Sequence, residues 1–387
     1  MNKIYNLLTV PGTIDKIFVN WGCIIMIDYN NCIVNLACSV LKFFGAEYTH
    51  DTLKEVDELL KYDYKNVVVI LLDGLGYDAM QYHLPEDSFF NMHLIKKYYS
   101  VFPPTTTSAT TSLASGLTPA EHGWLGWNLY FSEIDKIVCA FTNTANGKVA
   151  ADYHVAGRYI PYVSIYEKIK NAGIADAYSV SLYGSNRIET FDGMIEEIKR
   201  LCNTPGRKYV YGYWESPDDL MHKFGCYHKL VTDNINTIEA KIENMCRELS
   251  DTLVIVTADH GHINVQNYYT LTDYPEIISM LERPISVEPR ATAFYLKNEY
   301  LEVFPEKFQK YFGDDFLLLP KEEIIERKLF GPGKMHPKFE EFIGDYMAIA
   351  VKDKGIVYSD DSVRFVSHHA GLTEKEMVIP LIAICKK

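Results

Sequence analysis

The run Asn66-Val-Val-Val-Ile-Leu-Leu72 is apolar without interruption after its first residue and rich in β-branched side chains. A strand with one wet face would alternate, so this pattern predicts a strand buried on both faces, as in a parallel sheet. Lys208–Tyr213 and Thr252–Thr257 read the same way, Val378–Ile384 gives another apolar strand, and Ala177–Ser181 a short one. Between them the period changes to that of a helix. Asn31–Gly45 sets Ile33, Leu36, Ala37, Val40, Leu41 and Phe44 on one face, and Asp51–Tyr62, Ile165–Ala172, Thr190–Cys202 and Val231–Glu248 are further helical segments. Strands alternating with helices predict an α/β fold: a doubly wound, mostly parallel central sheet with helices on both faces.

The pattern weakens between residues 264 and 360, where Thr292–Leu296 and Tyr346–Val351 read as strands and Leu329–Lys334 as a turn-rich connector. This stretch is expected to form a smaller subdomain or lid inside one domain spanning 1–387. Phe131–Phe141 reads as a strand or hairpin, whereas residues 1–30 give no clear element.

The formal net charge of -13, with no basic stretch, argues against a nucleic-acid duplex as partner. Clustered acids suit divalent cations, which could then receive an anionic substrate. No segment has the length of a membrane span and the first residues lack a signal-peptide pattern, so the expectation is a cytoplasmic protein with no membrane partner. The eight cysteines form no CxxC pair and are expected to be reduced.

Chemistry concentrates just past the buried strands. The first ends in Asp73-Gly-Leu-Gly, the position where open α/β sheets bind ligands. Next comes Ser100-Val-Phe-Pro-Pro-Thr-Thr-Thr-Ser, a proline-halted loop leading into a small-residue helix with Thr106 in its first turn. Free N–H groups there favour a phosphate, or a hydroxyl that must become an alkoxide. The strand at Lys208–Tyr213 runs into Ser216-Pro-Asp-Asp-Leu-Met-His222, with Pro217 expected at the first helical position. Asp218 and His222 are then i and i+4 on one face and can converge on one metal ion, while Asp219 points elsewhere. The third strand ends in Ala258-Asp-His-Gly-His262, and near the C-terminus stands Ser367-His-His-Ala-Gly371. Taken singly, these are ordinary caps and turns. Together, Asp73, Thr106, Asp218, His222, Asp259, His260 and one of His368 or His369 make two sets of metal ligands, enough for a pair of ions that clamp the attacking and leaving oxygens of a displacement.

The five motifs, in this order, resemble the alkaline phosphatase superfamily, and within it the nucleotide pyrophosphatase/phosphodiesterase family. The resemblance covers Val67 to about Pro380. Thr106 matches the nucleophile of Phe-Pro-x-x-Thr. The resemblance implies one ion held by Asp73, Thr106, Asp259 and His260, and another held by Asp218, His222 and His369. His369 is chosen over His368 because small residues, Ala370-Gly371, follow it. The implied cofactors are two divalent ions, zinc first and manganese next. The implied activity is hydrolysis of a small phosphoester, such as a nucleotide, through a phospho-threonine intermediate. Thr107 stands where the family commonly carries an aromatic residue for base stacking; its backbone N–H would hold a phosphate oxygen. Asn128, after His122-Gly123, matches the family's phosphate-binding amide, and Tyr213 a position that stacks on a base. His122, Trp124 and His262 carry no assigned role beyond packing or orientation.

A phosphomonoesterase or phosphomutase of the same superfamily is the alternative; a relative of cofactor-independent phosphoglycerate mutases would carry serine at Thr106. The sulfatase motif Cys/Ser-x-Pro-x-Arg is absent. A catalytically dead metal-binding protein would be expected to have lost a ligand or the nucleophile.

Overall fold

The computed structural model describes residues 27–387. Most of the 1–30 stretch lies outside the described residues.

Seven strands form the central sheet, in the order Leu94–Tyr99, Val378–Lys386, Thr252–Thr257, Asn66–Leu72, Lys208–Trp214, Asp176–Ser181 and Asn186–Arg187. From Thr252–Thr257 to Asn186–Arg187 every pairing is parallel. Val378–Lys386 and Leu94–Tyr99 close the other edge antiparallel. The middle strand, Asn66–Leu72, is buried at every position. This is the outcome its unbroken apolar pattern requires, because both faces are covered by helices. Ile33–Phe43, Thr106–Ser115 and Ile165–Ala172 pack against one another in one helical group, and Tyr77–His83, Phe191–Cys202 and Lys229–Glu248 in another. Fully burying each Val, Leu or Ile of such a core stabilises the fold by about 1.5–3 kcal/mol.

A second sheet of eight strands is antiparallel throughout. Phe316–Pro320, Tyr346–Ala350, Ala291–Phe294 and Ser286–Glu288 come from the 264–360 stretch, and the remaining four from Asn128 to Val149, including the hairpin Asn128–Phe131/Lys136–Cys139. The join is narrow: Val287 pairs with Asn128. A second core, containing Phe102, Leu129, Phe131, Val287 and Ile349, fills this region. A third gathers Phe304, Phe308, Phe312 and Phe316.

One element begins later than expected. The helix after Pro217 runs Asp218–Phe224, with Pro217 as its cap and not its first residue. The Asp218 N–H donates to the carbonyl of Asp73 (3.0 Å), which ties the start of the helix to the neighbouring strand end. Among the described residues no helix is long and apolar enough to cross a membrane.

Candidate metal centre

The parallel strands Asn66–Leu72, Lys208–Trp214 and Thr252–Thr257 are neighbours with level ends: Leu71 pairs with Thr257 on one side and Tyr213 on the other. Their C-terminal extensions therefore leave the sheet at one edge, and Asp73, Asp218 and Asp259 arrive together. The loops interlock. Asp73 N–H donates to Trp214 O (2.9 Å), Gly74 N–H to Asp259 Oδ1 (3.0 Å), and Gly261 N–H to Glu376 O (2.9 Å). A Cβ on Gly76 would lie 2.4 Å from Gly261 Cα, so only glycine allows this approach.

Thr106 is the first residue of the helix Thr106–Ser115. The preceding Thr105 does not cap that helix with its side chain; its hydroxyl donates to Glu288 Oε1 (2.7 Å). The Thr106 side chain is thereby left facing the strand ends. Its Oγ1 lies 3.5 and 3.4 Å from Asp73 Oδ1 and Oδ2, and 3.2 Å from His260 Nε2. His260 Nε2 is 3.4 Å from Asp73 Oδ1 and 3.5 Å from Asp259 Oδ2. Two tetrahedral zinc ligands at 2.0–2.1 Å from the ion stand about 3.3 Å apart. The spacings among Thr106, Asp73 and His260, and that from His260 to Asp259, fit that edge length. Asp259 Oδ2 is buried with no hydrogen-bond partner, as expected of an oxygen reserved for a cation.

The second group lies alongside. Ligand atoms of Asp218, His222, His262 and His369 all fall within 4.8 Å of one another, as do those of Asp73, Asp218 and His260. His222 Nε2 is 3.3 Å from Asp218 Oδ1, and His369 Nε2 is 3.9 Å from it. Three imidazoles share one orientation: Nδ1 faces a backbone carbonyl, that of Ser367 for His222 (2.8 Å), Gly261 for His260 (3.2 Å) and Pro104 for His369 (3.2 Å). A carbonyl accepts only, so Nδ1 carries the hydrogen and Nε2 a lone pair. Lone pairs aimed at carboxylate oxygens repel unless a cation lies between, so the donor set fits divalent ions.

Electrostatics agree. Burial raises the Asp73 carboxyl well above its ordinary range, and the neighbouring Asp259 and Asp218 add to this. For Asp218 burial acts upward, but His222 and His262 prevail and hold it below the usual carboxylate range. Burial lowers His222 to about 4. Burial also lowers His260, and it drives His369 well down, with His260 and His368 contributing. Neutral imidazoles beside carboxylates are the ligand form.

Other expected residues fall differently. Thr107 is fully buried and its hydroxyl has no hydrogen-bond partner, so it has only its backbone N–H to offer a substrate. The Tyr213 hydroxyl donates to Asp73 Oδ2. Asn128 lines a cavity of about 660 Å³ together with Thr106, Asp218, His222, His368 and His369. His368 is buried, and its Nδ1 accepts from the His369 N–H (2.9 Å). Its place beside the cluster is thus structural as well as on the cavity wall.

His262 was expected to pack or to orient a neighbour, and Glu288 carried no expectation at all. His262 Nε2 lies 2.6 Å from Asp218 Oδ1, a hydrogen-bond length and too short for two ligands of one ion. The only hint was its alternation with His260. Glu288 is buried on the cavity wall and bonded to Thr105; it sits in a stretch with no motif at all.

A sequence model described as type I phosphodiesterase / nucleotide pyrophosphatase matches residues 67–371. Among curated proteins, none matches in sequence. Of solved structures, murine ectonucleotide pyrophosphatase / phosphodiesterase 5, in an inactive threonine-to-alanine form with AMP bound, is 18% identical. It has a TM-score of 0.63 over 82% of this chain and 87% of its own. The human protein of that name is 17% identical, with the same TM-score and coverage. Phosphonoacetate hydrolase from Sinorhizobium meliloti 1021, in complex with phosphonoacetate, is 14% identical, with a TM-score of 0.61 over 82% of this chain and 89% of its own.

Proposed function

The chain belongs to the type I phosphodiesterase / nucleotide pyrophosphatase family, and from that premise we propose that it is a phosphodiesterase in which Thr106 is the nucleophile and two divalent metal ions, zinc by preference, are the cofactors. The observation that carries the reading is the spacing of 3.2 to 3.5 Å that Thr106 Oγ1 keeps from His260 Nε2 and the Asp73 carboxylate. Asp73, Thr106, Asp259 and His260 would hold one ion, and Asp218, His222 and His369 the other; manganese would accept the same ligands. When bound, such ions supply Lewis-acid stabilisation of charge on the attacking and leaving oxygens.

The chain's own part is positioning. Asp73 and His260 fix the Thr106 oxygen at the start of its helix. Backbone N–H groups from Thr107 onward receive the non-bridging oxygens of the phosphoryl group. Asn128, on the cavity wall, would add a side-chain amide. Attack by Oγ1 forms the Thr106–phosphorus bond as the hydroxyl proton is released, the bond to the leaving oxygen breaks, and that oxygen takes up a proton in its place. Water then cleaves the phospho-threonine ester from the opposite side. The AMP complex of the murine relative supports a small phosphoester substrate such as a nucleotide. Free thiols at the seven described cysteines support a cytoplasmic setting.

Paired turnover of an aryl phosphodiester and the matching aryl phosphomonoester by zinc-loaded protein tests the reading. The diester is expected to turn over faster; faster monoester hydrolysis would replace it with the phosphomonoesterase alternative.

A further inference from the structure

The walls of the cavity are one-sided in charge. Among the described residues that line it there is no lysine or arginine; Glu288, whose carboxyl burial raises to about 7, stands on the wall, and Asp361 is an exposed carboxylate of the lining. Nearby Arg364 is engaged by Asp360 Oδ1 and Thr270 Oγ1, each at 2.8 Å. The remaining lining is largely apolar and includes Trp127, Ile285, Ile356, Val363 and Phe365. Trp127 and Phe365 are exposed in spite of their size, which marks a contact surface more than core. Phe365 also lies against the His222 ring, with centroids 4.1 Å apart, so the apolar wall begins at the metal cluster itself.

The backbone is strained to build this wall. Val287 has φ of 76°, a conformation rare for a β-branched residue. The strain is held by the pairing of Val287 with Asn128 and Thr292. Glu288, the next residue, is thereby held on the cavity wall, where Oε1 accepts from Thr105 Oγ1 (2.7 Å) and the Trp127 N–H (2.8 Å).

We infer that the substrate is a phosphodiester that carries an apolar ester group and no second phosphate, so that pyrophosphate bonds are disfavoured. This rests on the phosphodiesterase reading above and narrows it. The charge of the reacting phosphoryl group is answered by the metal cluster. A second phosphate would lie along walls that offer hydrocarbon and the Asp361 carboxylate, with no lysine or arginine to meet it. An aryl or alkyl ester group would instead cover Trp127 and Phe365.

The test uses two esters that differ by one phosphate: bis(4-nitrophenyl) phosphate, and the pyrophosphate diester bearing the same two nitrophenyl groups. Binding of each to zinc-loaded Thr106→Ala protein is measured by calorimetry, and hydrolysis of each is measured with the zinc-loaded wild type. The phosphodiester is expected to bind about tenfold more tightly, and Asp361→Lys, which alters an exposed side chain, to narrow the gap by about tenfold. Equal or tighter binding of the pyrophosphate, or no change with Asp361→Lys, would overturn the inference while leaving the phosphodiesterase reading intact if the wild type hydrolyses either compound. Hydrolysis of neither removes both.

Discussion

The His262 imidazole reaches Asp218 at 2.6 Å, Nε2 to Oδ1, while its Nδ1 lies 3.1 Å from Ser367 Oγ. The carboxylate can only accept, so His262 donates from Nε2 and takes the Ser367 hydroxyl proton at Nδ1. The arrangement aims Asp218 at the candidate metal centre without adding a ligand. Residues that orient a ligand typically change metal affinity by about 10- to 100-fold. His262→Ala is therefore expected to weaken binding of one zinc by about that factor, read by competition with a chromophoric chelator. Unchanged affinity would return His262 to a packing role.

Replacing Thr106 by alanine removes one of four ligands from one proposed site and leaves Asp73, Asp259 and His260, so metal is expected to stay bound at saturating zinc while kcat falls by about 10³-fold or more. Acid quench of the wild type with phosphorus-labelled diester should trap label on the protein, and the alanine variant should trap none. Comparable steady-state rates would remove the nucleophile assignment.

Metal removal should destabilise the fold. Without cations, Asp73, Asp218 and Asp259 face one another across a buried site, and burial with mutual repulsion raises Asp73 well above its ordinary range. With free zinc about 1,000 times Kd, each site is expected to contribute about 4 kcal/mol. Thermal melts with chelator, and then with zinc restored, should show a reversible fall and recovery of Tm. An unmoved Tm would argue against the cluster as a metal site.

Arg290 and Glu376 form a wholly buried ion pair: Nε to Oε1 at 2.6 Å and Nη2 to Oε2 at 2.7 Å. Glu376 also accepts from Gly371 N–H (2.8 Å) and Thr373 Oγ1 (2.6 Å), in the loop that follows His369. Glu376→Gln would leave the guanidinium buried beside a neutral partner, at a cost of about 3–5 kcal/mol. The paired change Arg290→Met with Glu376→Leu should recover much of it in denaturant melts, because no lone charge is left.

Stability should fall on acidification through His122. Burial lowers this imidazole to about 3; its Nε2 meets Ser112 Oγ (3.0 Å) and its Nδ1 accepts from the Trp124 N–H (3.0 Å). The unfolded chain takes up the proton near pH 6.5 while the folded chain refuses it. This contribution is therefore full above the unfolded value and is lost as pH falls toward 3. Between pH 7 and pH 5 the loss is about 2 kcal/mol. His122→Asn should flatten the pH dependence by that amount, measured by urea unfolding at both values.

The sheet and its working edge were legible in local pattern. The unbroken apolar runs at Val67–Leu72 and Leu253–Val256 could be satisfied only by burial on both faces, and a parallel sheet brings their following residues, Asp73 and Asp259, to one side. The i, i+4 spacing of Asp218 and His222 was equally local, and the helix delivers it at 3.3 Å. Tertiary structure alone decided the rest. That Pro217 caps its helix follows from a bond to Asp73, far away in the chain. The Tyr213 hydroxyl goes to Asp73, and Trp127 and Phe365 reach the cavity wall from distant segments. Glu288 and the Arg290–Glu376 pair carry no periodic or motif signal, because their partners lie tens to hundreds of residues away. Local pattern reports which face of an element is buried. What meets that face is set by the packing of whole elements, which no stretch of sequence contains.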